Sequence, residues 1–191
     1  IPVERAVYKG KPIVLEGGAI DVNGKGTLIT TEECLLDPKV QVRNKGFTKE
    51  DYEAIFKEYF GVTHTIWLKD GIKGDDTHGH IDDLARFVNE DTIVTVVEND
   101  PKASNYAPLQ ENLKRLKRSK LENEKSPKII ELPMPHRLEF DGLELPASYA
   151  NFLILNKAVL VPTFNDSRDR EALNILSEAF KDREVIPINA I

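Results

Sequence analysis

Apolar positions along the chain fall into three rounds of one order: a hairpin, an amphipathic helix and a closing strand. In the first round, residues 11–18 begin apolar through Ile13, Val14 and Leu15 and end on Glu16-Gly17-Gly18, which predicts a strand and a tight turn. Residues 20–22 and 27–30 flank Asn23-Gly24, a pair that supports the positive φ angles of a short hairpin turn. Thr48 predicts a helix N-cap, with Glu50 and Asp51 in the first turn. Tyr52, Ile55, Phe56, Tyr59 and Phe60 then share one helical face, Gly61 ends the helix, and residues 65–68 form a strand. In the second round, residues 84–88 and 92–97 flank Asn89-Glu90-Asp91. A helix from about Ser104 turns Tyr106, Leu109, Leu113 and Leu116 inward, and residues 129–132 close the round. The third pairs residues 148–155 with 158–161 across Asn156-Lys157. A helix from about Ser167 places Ala172, Ile175, Leu176, Ala179 and Phe180 on one face before strand 184–188.

The repeat is one of pattern rather than residue identity, with a period of roughly 60 residues. It predicts an α/β fold, a single domain over residues 1–191 with units at 11–68, 82–132 and 147–188. One such unit cannot cover its own small sheet, so the units are expected to pack side by side as a ring or fan. Residues at the hairpin starts then face a common centre. Glu16, the pair His80 and Asp82, and the stretch from Ser148 to Asn151 all occupy that position.

Composition narrows the function classes. The chain has 191 residues, 40% of them hydrophobic, and a net charge of −6. Such a balance argues against nonspecific nucleic-acid binding and suits a cationic ligand. No apolar run approaches the roughly 20 residues of a membrane span. The start, Ile1-Pro2-Val3-Glu4-Arg5, shows no apolar signal region and no initiator Met, so a cytoplasmic protein and a start inside a longer chain are expected. The single cysteine, Cys34, excludes an intrachain disulfide, fits a reducing compartment and reads as a small buried residue. Trp67 on an apolar strand reads as core. The basic positions Lys114, Arg115, Lys117 and Arg118 read as a solvated helix face. No phosphate-binding loop or dinucleotide fingerprint is present.

The densest chemistry lies in residues 71–88. Asp75, Asp76, Asp82 and Asp83 crowd together with His78, His80, Gly74 and Gly79. Like charges at this density repel, so folding alone gains little from them. Carboxylates beside a histidine can instead hold a cation and tune an imidazole for proton transfer. His80-Ile81-Asp82 is an i, i+2 pair at the expected start of a strand, which would put both side chains on one face. The structural alternative is a loop with a local His–Asp hydrogen bond. Asp75 and Asp76 serve equally as turn or cap residues, His78 as a loop histidine, and Glu16 as a surface residue before a glycine turn.

Taken together, these stretches resemble the agmatine deiminase and bacterial peptidylarginine deiminase family of the guanidine-modifying pentein superfamily. The resemblance is carried by Leu15-Glu16-Gly17-Gly18 with residues 24–27 and 31–34, by residues 67–71 and 74–88, by Ser148 to Phe152, and by residues 156–166. It implies a five-bladed α/β propeller of ββαβ units, of which about two are missing here. It makes His80 the general acid/base and Asp82 a carboxylate gripping a guanidinium, with Glu16 and Asp76 on the substrate side. Ala19 stands where the family usually has Asn. The family's nucleophilic cysteine and its N-terminal Trp/Asp segment are absent, Cys34 matches a non-nucleophilic position, and the chain as given is expected not to turn over.

For the whole enzyme the resemblance implies hydrolysis of agmatine to N-carbamoylputrescine and ammonia through a covalent amidino-cysteine, in polyamine and putrescine biosynthesis. No metal and no cofactor is implied. The partners are a small cationic guanidine and the missing N- and C-terminal parts of the same protein; a homo-oligomer is left open. Three alternatives stand beside it: a peptidyl- or free-arginine deiminase of the same fold, a metal-dependent hydrolase using His78, His80, Asp82 and Asp83, and a noncatalytic fragment.

Overall fold

The structure, a computed structural model, describes residues 4–191; Ile1, Pro2 and Val3, at the start of the stretch read for a signal region, lie outside the described residues. A small antiparallel ribbon, β1 (Val7–Tyr8) and β2 (Lys11–Pro12), leads in. The first sheet is β3 (Asp21–Val22), β4 (Thr27–Thr31) and β5 (His64–Leu68), with α1 (Glu32–Leu36) and α2 (Lys49–Phe60) between β4 and β5. The second is β6 (Ala85–Phe87), β7 (Thr92–Val97) and β8 (Lys128–Pro133), with α3 (Tyr106–Arg118) before its last strand. A ribbon of β9 (Glu139–Phe140) and β10 (Leu143–Glu144) follows. The third sheet is β11 (Leu153–Ile154), β12 (Ala158–Thr163) and β13 (Glu184–Asn189), with α4 (Asp169–Ala179) between β12 and β13. Among the described residues the architecture is mixed α/β, three three-stranded sheets with two two-stranded ribbons and no closed barrel.

Each sheet pairs its first two strands antiparallel and its last two parallel. A parallel partner needs a long crossover, which the helix supplies. Every residue of β4 and β7 is buried, as expected of central strands covered on both faces. Helix α2 begins with a full capping box between Thr48 and Asp51 and ends at Gly61, which takes φ 68° and donates its N–H to Lys57 O. Its aromatic face makes a core of Tyr52, Ile55 and Phe56 with Leu28, Cys34 and Leu35. Ile29, Ile66 and Leu68 of the first sheet join the larger core of the other two sheets, so the units are stitched side by side.

Three local expectations are corrected. Residues 13–18 form no strand: Asn44 takes the partner strand's place, accepting from Val14 N at 2.9 Å and donating to Val14 O at 2.7 Å, and Gly17–Ala19 is a 3-10 turn. The turn after β3 is longer than Asn-Gly alone, because Asn23 Oδ1 gathers the N–H groups of Lys25, Gly26 and Thr27. Ile81–Asp83 is a 3-10 turn rather than a strand start. Among the described residues no helix is long and apolar enough to cross a membrane.

Candidate active site

Residues 71–83 lie against the ends of β4 and α1, held there by buried polar contacts. Thr31 Oγ1 donates to Gly79 O at 2.5 Å, and Gly71 N donates to Glu33 Oε2 at 2.5 Å. A Cβ on Gly71 would sit 2.5 Å from Gly79 Cα, so this crossing admits only glycine. Asp75 organises the loop from within. Its carboxylate accepts from Thr77 N at 2.7 Å, Gly79 N at 2.8 Å and His80 N at 3.0 Å, and from the Thr77 hydroxyl. Burial pushes the Asp75 carboxyl up, but these hydrogen bonds outweigh it and hold the carboxyl below its usual range. Asp75 is thus a loop residue, the turn role the sequence allowed.

His80 is the first residue after this knot. Its side chain is 12% exposed, and Nε2 is wholly buried with no hydrogen-bond partner. Glu16 Oε2 lies 3.6 Å from that nitrogen, and Asp82 Oδ1 lies 3.9 Å from Nδ1. Both gaps are too wide for a hydrogen bond. The imidazole therefore stands between two carboxylates with its nitrogens uncommitted. The 3-10 turn that follows His80 places Asp82 on its Nδ1 side. Gly18 makes the approach possible: a Cβ there would land on His80 Nδ1 and 2.7 Å from Asp82 Oδ2. Burial raises the Asp82 carboxyl, against the opposing pull of His80 and Arg86.

Glu16 is not free. Arg43 Nε donates to Oε1 at 3.1 Å and Oε2 at 3.0 Å, while its other nitrogens donate to Gln41 O and Thr77 O. The Arg43 side chain is only 4% exposed, against 40% for Glu16. Arg43 was invisible to the sequence reading because it lies in a polar loop without periodicity, and only a neutralising partner for Glu16 would have pointed to it. Asp76 is exposed and held by its main chain, whose carbonyl accepts from Gln41 Nε2 at 2.7 Å. His78 turns away from His80, with Nε2 2.9 Å from Asp37 Oδ2 and Nδ1 3.6 Å from Glu33 Oε1.

The third unit reaches the same place through Asp83. Asn151 Nδ2 donates to Asp83 Oδ1 at 2.9 Å, and Ser148 Oγ donates to Asp83 O at 2.7 Å. Ser148 and Asn151 thus hold Asp83, the residue after Asp82, while Glu16 and Asp82 flank His80. Trp67 is half-buried, packing against Tyr52 and Phe56 at the edge of the core while its Nε1 donates to Glu53 Oε1 at 3.0 Å. Arg115 is drawn into contacts with Glu32 and Glu111, so that helix face is less solvated than its composition suggests. Among the described residues one trio has metal-ligand chemistry, Glu16, Cys34 and His80. The set His78, His80, Asp82 and Asp83 expected for a metal-dependent hydrolase does not gather around one point.

Comparison with known proteins places this arrangement. The family model for Porphyromonas-type peptidyl-arginine deiminase matches residues 3–191. The chain belongs to that family. It is 34% identical to the agmatine deiminase of Pseudomonas fluorescens, over 95% of this chain and 53% of that protein. The solved agmatine deiminase of C. jejuni, a Cys-to-Ser form with substrate bound, is 37% identical with a TM-score of 0.85, over 93% of this chain and 51% of that one. The agmatine deiminase of Enterococcus faecalis is 32% identical with a TM-score of 0.84, covering 93% and 52%. The chain spans about half the length of the relatives it matches.

Within this family member, Asp83 carries a measurable signature. It is 6% exposed and has no cationic partner among the described residues. Burial pushes its carboxyl up from 3.8 to about 7; the Asn151 hydrogen bond opposes this, and the charges of Asp82, Asp75 and Asp76 add to it. In the fold the group keeps its proton to about pH 7, whereas the unfolded chain releases it near 3.8. Rising pH across that window therefore lowers stability. Asp83→Asn keeps the shape and removes the ionisation. The variant should gain little below pH 4 and, by pH 8, about 4 kcal/mol or roughly 12 °C in melting temperature. Paired thermal melts of the two chains across pH check this, and a constant difference would refute the buried-acid reading.

Proposed function

We propose that the complete protein is a guanidine hydrolase, an agmatine deiminase that converts agmatine and water to N-carbamoylputrescine and ammonia. The observation that carries the reading is the uncommitted His80 imidazole between the Glu16 and Asp82 carboxylates. A guanidinium is planar, cationic and resonance-stabilised, so it resists attack by water. Carboxylates can take its N–H groups through charge-assisted hydrogen bonds and fix its plane. In this reading Asp82 grips the guanidinium, Glu16 faces it from the first unit, and Asp76 adds negative potential from the rim.

A thiolate then attacks the central carbon and forms a C–S bond. His80 protonates the departing ammonia, leaving an amidino-thioether. It next takes a proton from the water whose oxygen replaces sulfur, and the ureido product leaves with the thiol regenerated. Cys34 does not supply that thiolate: it is 2% exposed, and burial pushes its thiol up to about 12. The nucleophile is therefore assigned to a cysteine outside these 191 residues. The substrate-bound Cys-to-Ser form of the C. jejuni relative supports a cysteine in that role. No cofactor enters these steps. The three units are read as part of a five-bladed propeller whose other blades complete the site, and the single buried free cysteine supports a reducing, cytoplasmic setting.

Ammonia release by the complete protein, offered agmatine, free arginine and an arginyl peptide, is the test. Agmatine should be turned over at least tenfold faster, by kcat/KM, than either alternative. Preference for arginine or the peptide would move the protein to the other branch of the family, and no release from any of them would sink the reading.

A further inference from the structure

In the cavity beside β9 and β10 the lining residues Arg137 and His136 are already paired, Arg137 with Glu139 and Glu144 and His136 with Asp166. Cys34 is different. It is the chain's only cysteine and the deimination steps make no use of it, yet its sulfur, a Glu16 carboxylate oxygen and a His80 ring nitrogen lie within 4.8 Å of one another.

We propose that Glu16, Cys34 and His80 form a binding site for a thiophilic divalent cation of the zinc type, overlapping the guanidinium position, so that the metal and the substrate exclude each other. Thiolate, imidazole and carboxylate are the donor types zinc takes in proteins. Three independent features converge. His80 Nε2 is buried and lacks a partner, so an acceptor of its lone pair is missing. Glu16 Oε2 is the oxygen nearest to it, at 3.6 Å, and Arg43 can remain on Oε1 when Oε2 turns to a metal. The third donor, a soft sulfur, has no hydrogen-bond role assigned to it, since Thr31 Oγ1 receives only the Cys34 main-chain N–H. Tetrahedral zinc with bonds of about 2.0–2.3 Å needs donors roughly 3.5 Å apart, so the trio must contract by about an ångström. The fourth position opens toward Asp82 or solvent.

Charge favours the same occupant. Glu16, Glu33, Asp75 and Asp82 lie around the position against Arg43 beside Glu16 and Arg86 beside Asp82, an acidic excess that suits a divalent ion as it suits a guanidinium. Binding converts the Cys34 thiol to thiolate, and the proton leaves to solvent. A pocket that attracts cations while holding a thiol next to its proton-transfer group is therefore open to zinc inhibition.

The test begins with this chain alone, and only its inhibition arm rests on the deiminase reading. Co2+ added to the wild-type chain should give a thiolate-to-metal charge-transfer band in the near ultraviolet, and Zn2+ should displace it. Cys34→Ser should abolish the band and weaken Zn2+ binding by about tenfold or more, as should His80→Asn. A wild-type chain without the band, or variants that bind Zn2+ as tightly as wild type, would overturn the site. The band needs no variant, so poor folding of Cys34→Ser leaves the test intact. In the complete protein Zn2+ should inhibit competitively with agmatine, and Cys34→Ser should relieve the inhibition, read as the ratio of that variant's turnover with and without Zn2+. Binding without competition would separate the metal site from the guanidinium position and defeat the overlap, while loss of deiminase activity altogether would count against the function and leave the metal site standing.

Discussion

His80→Ala in the complete protein lowers agmatine turnover by about 10²–10⁴-fold, the contribution of a positioned acid/base group, while the fold persists. The structural reason for expecting so clean a separation is that the imidazole makes no hydrogen bond that folding relies on. Its Nε2 is unpartnered and its Nδ1 stands 3.9 Å from Asp82. The loop is held instead through the main-chain N–H of His80, which donates to Asp75, and alanine keeps that group. In the proposed mechanism both steps use the imidazole, so the loss should appear in kcat more than in KM. Ammonia release under saturating agmatine, with a thermal melt of the same sample, measures both sides. Turnover within a few-fold of wild type would remove His80 from the mechanism.

Gly18→Ala tests the geometry without touching a titratable group. Its φ is outside the left-handed region, so alanine brings no backbone strain. The added methyl instead meets His80 Nδ1 and both Asp82 carboxylate oxygens, and these side chains must move apart. A displacement of about an ångström at a reacting group costs on the order of 10²-fold, so kcat/KM should fall by about that factor. Gly17→Ala is the control. A Cβ at Gly17 meets nothing within 4 Å, so its activity should stay near wild type. Equal effects from the two substitutions would show that this segment does not set the spacing of His80 and Asp82.

Much of the architecture was legible because each round of the pattern is locally consistent. Thr48 and Gly61 bracket α2 as their chemistry demands, and the apolar face between them is the face that packs. Helices α3 and α4 begin at Tyr106 and Asp169, two residues past the expected starts, because no side chain caps either one and the first turn is not pinned. Where long-range polar contacts replace local preference, pattern reading failed. Residues 13–16 have strand-like composition, but Asn44, some thirty positions later, takes the hydrogen bonds a neighbouring strand would have made.

The candidate residues were named from the sequence, and their relations were not. Density of carboxylate and imidazole marked Asp75, Asp76, His80 and Asp82, and position before a hairpin marked Glu16 and Asn151. Which of these act together depends on contacts between distant segments. Asp75 became a loop staple and His78 a partner of Asp37, while Arg43 and Cys34 arrived beside Glu16 from elsewhere in the chain.

What the chain's own order of residues determined is the repeated unit, the bounds of the capped helix α2 and the chemical types gathered at each hairpin start, since hydrophobic periodicity and capping act over a few residues. Only the tertiary structure decided that an imidazole would stand unpaired between two carboxylates, one of them held by a buried guanidinium. That arrangement depends on desolvation and on distances of three to four ångströms between segments far apart in sequence, and neither is encoded in local spacing.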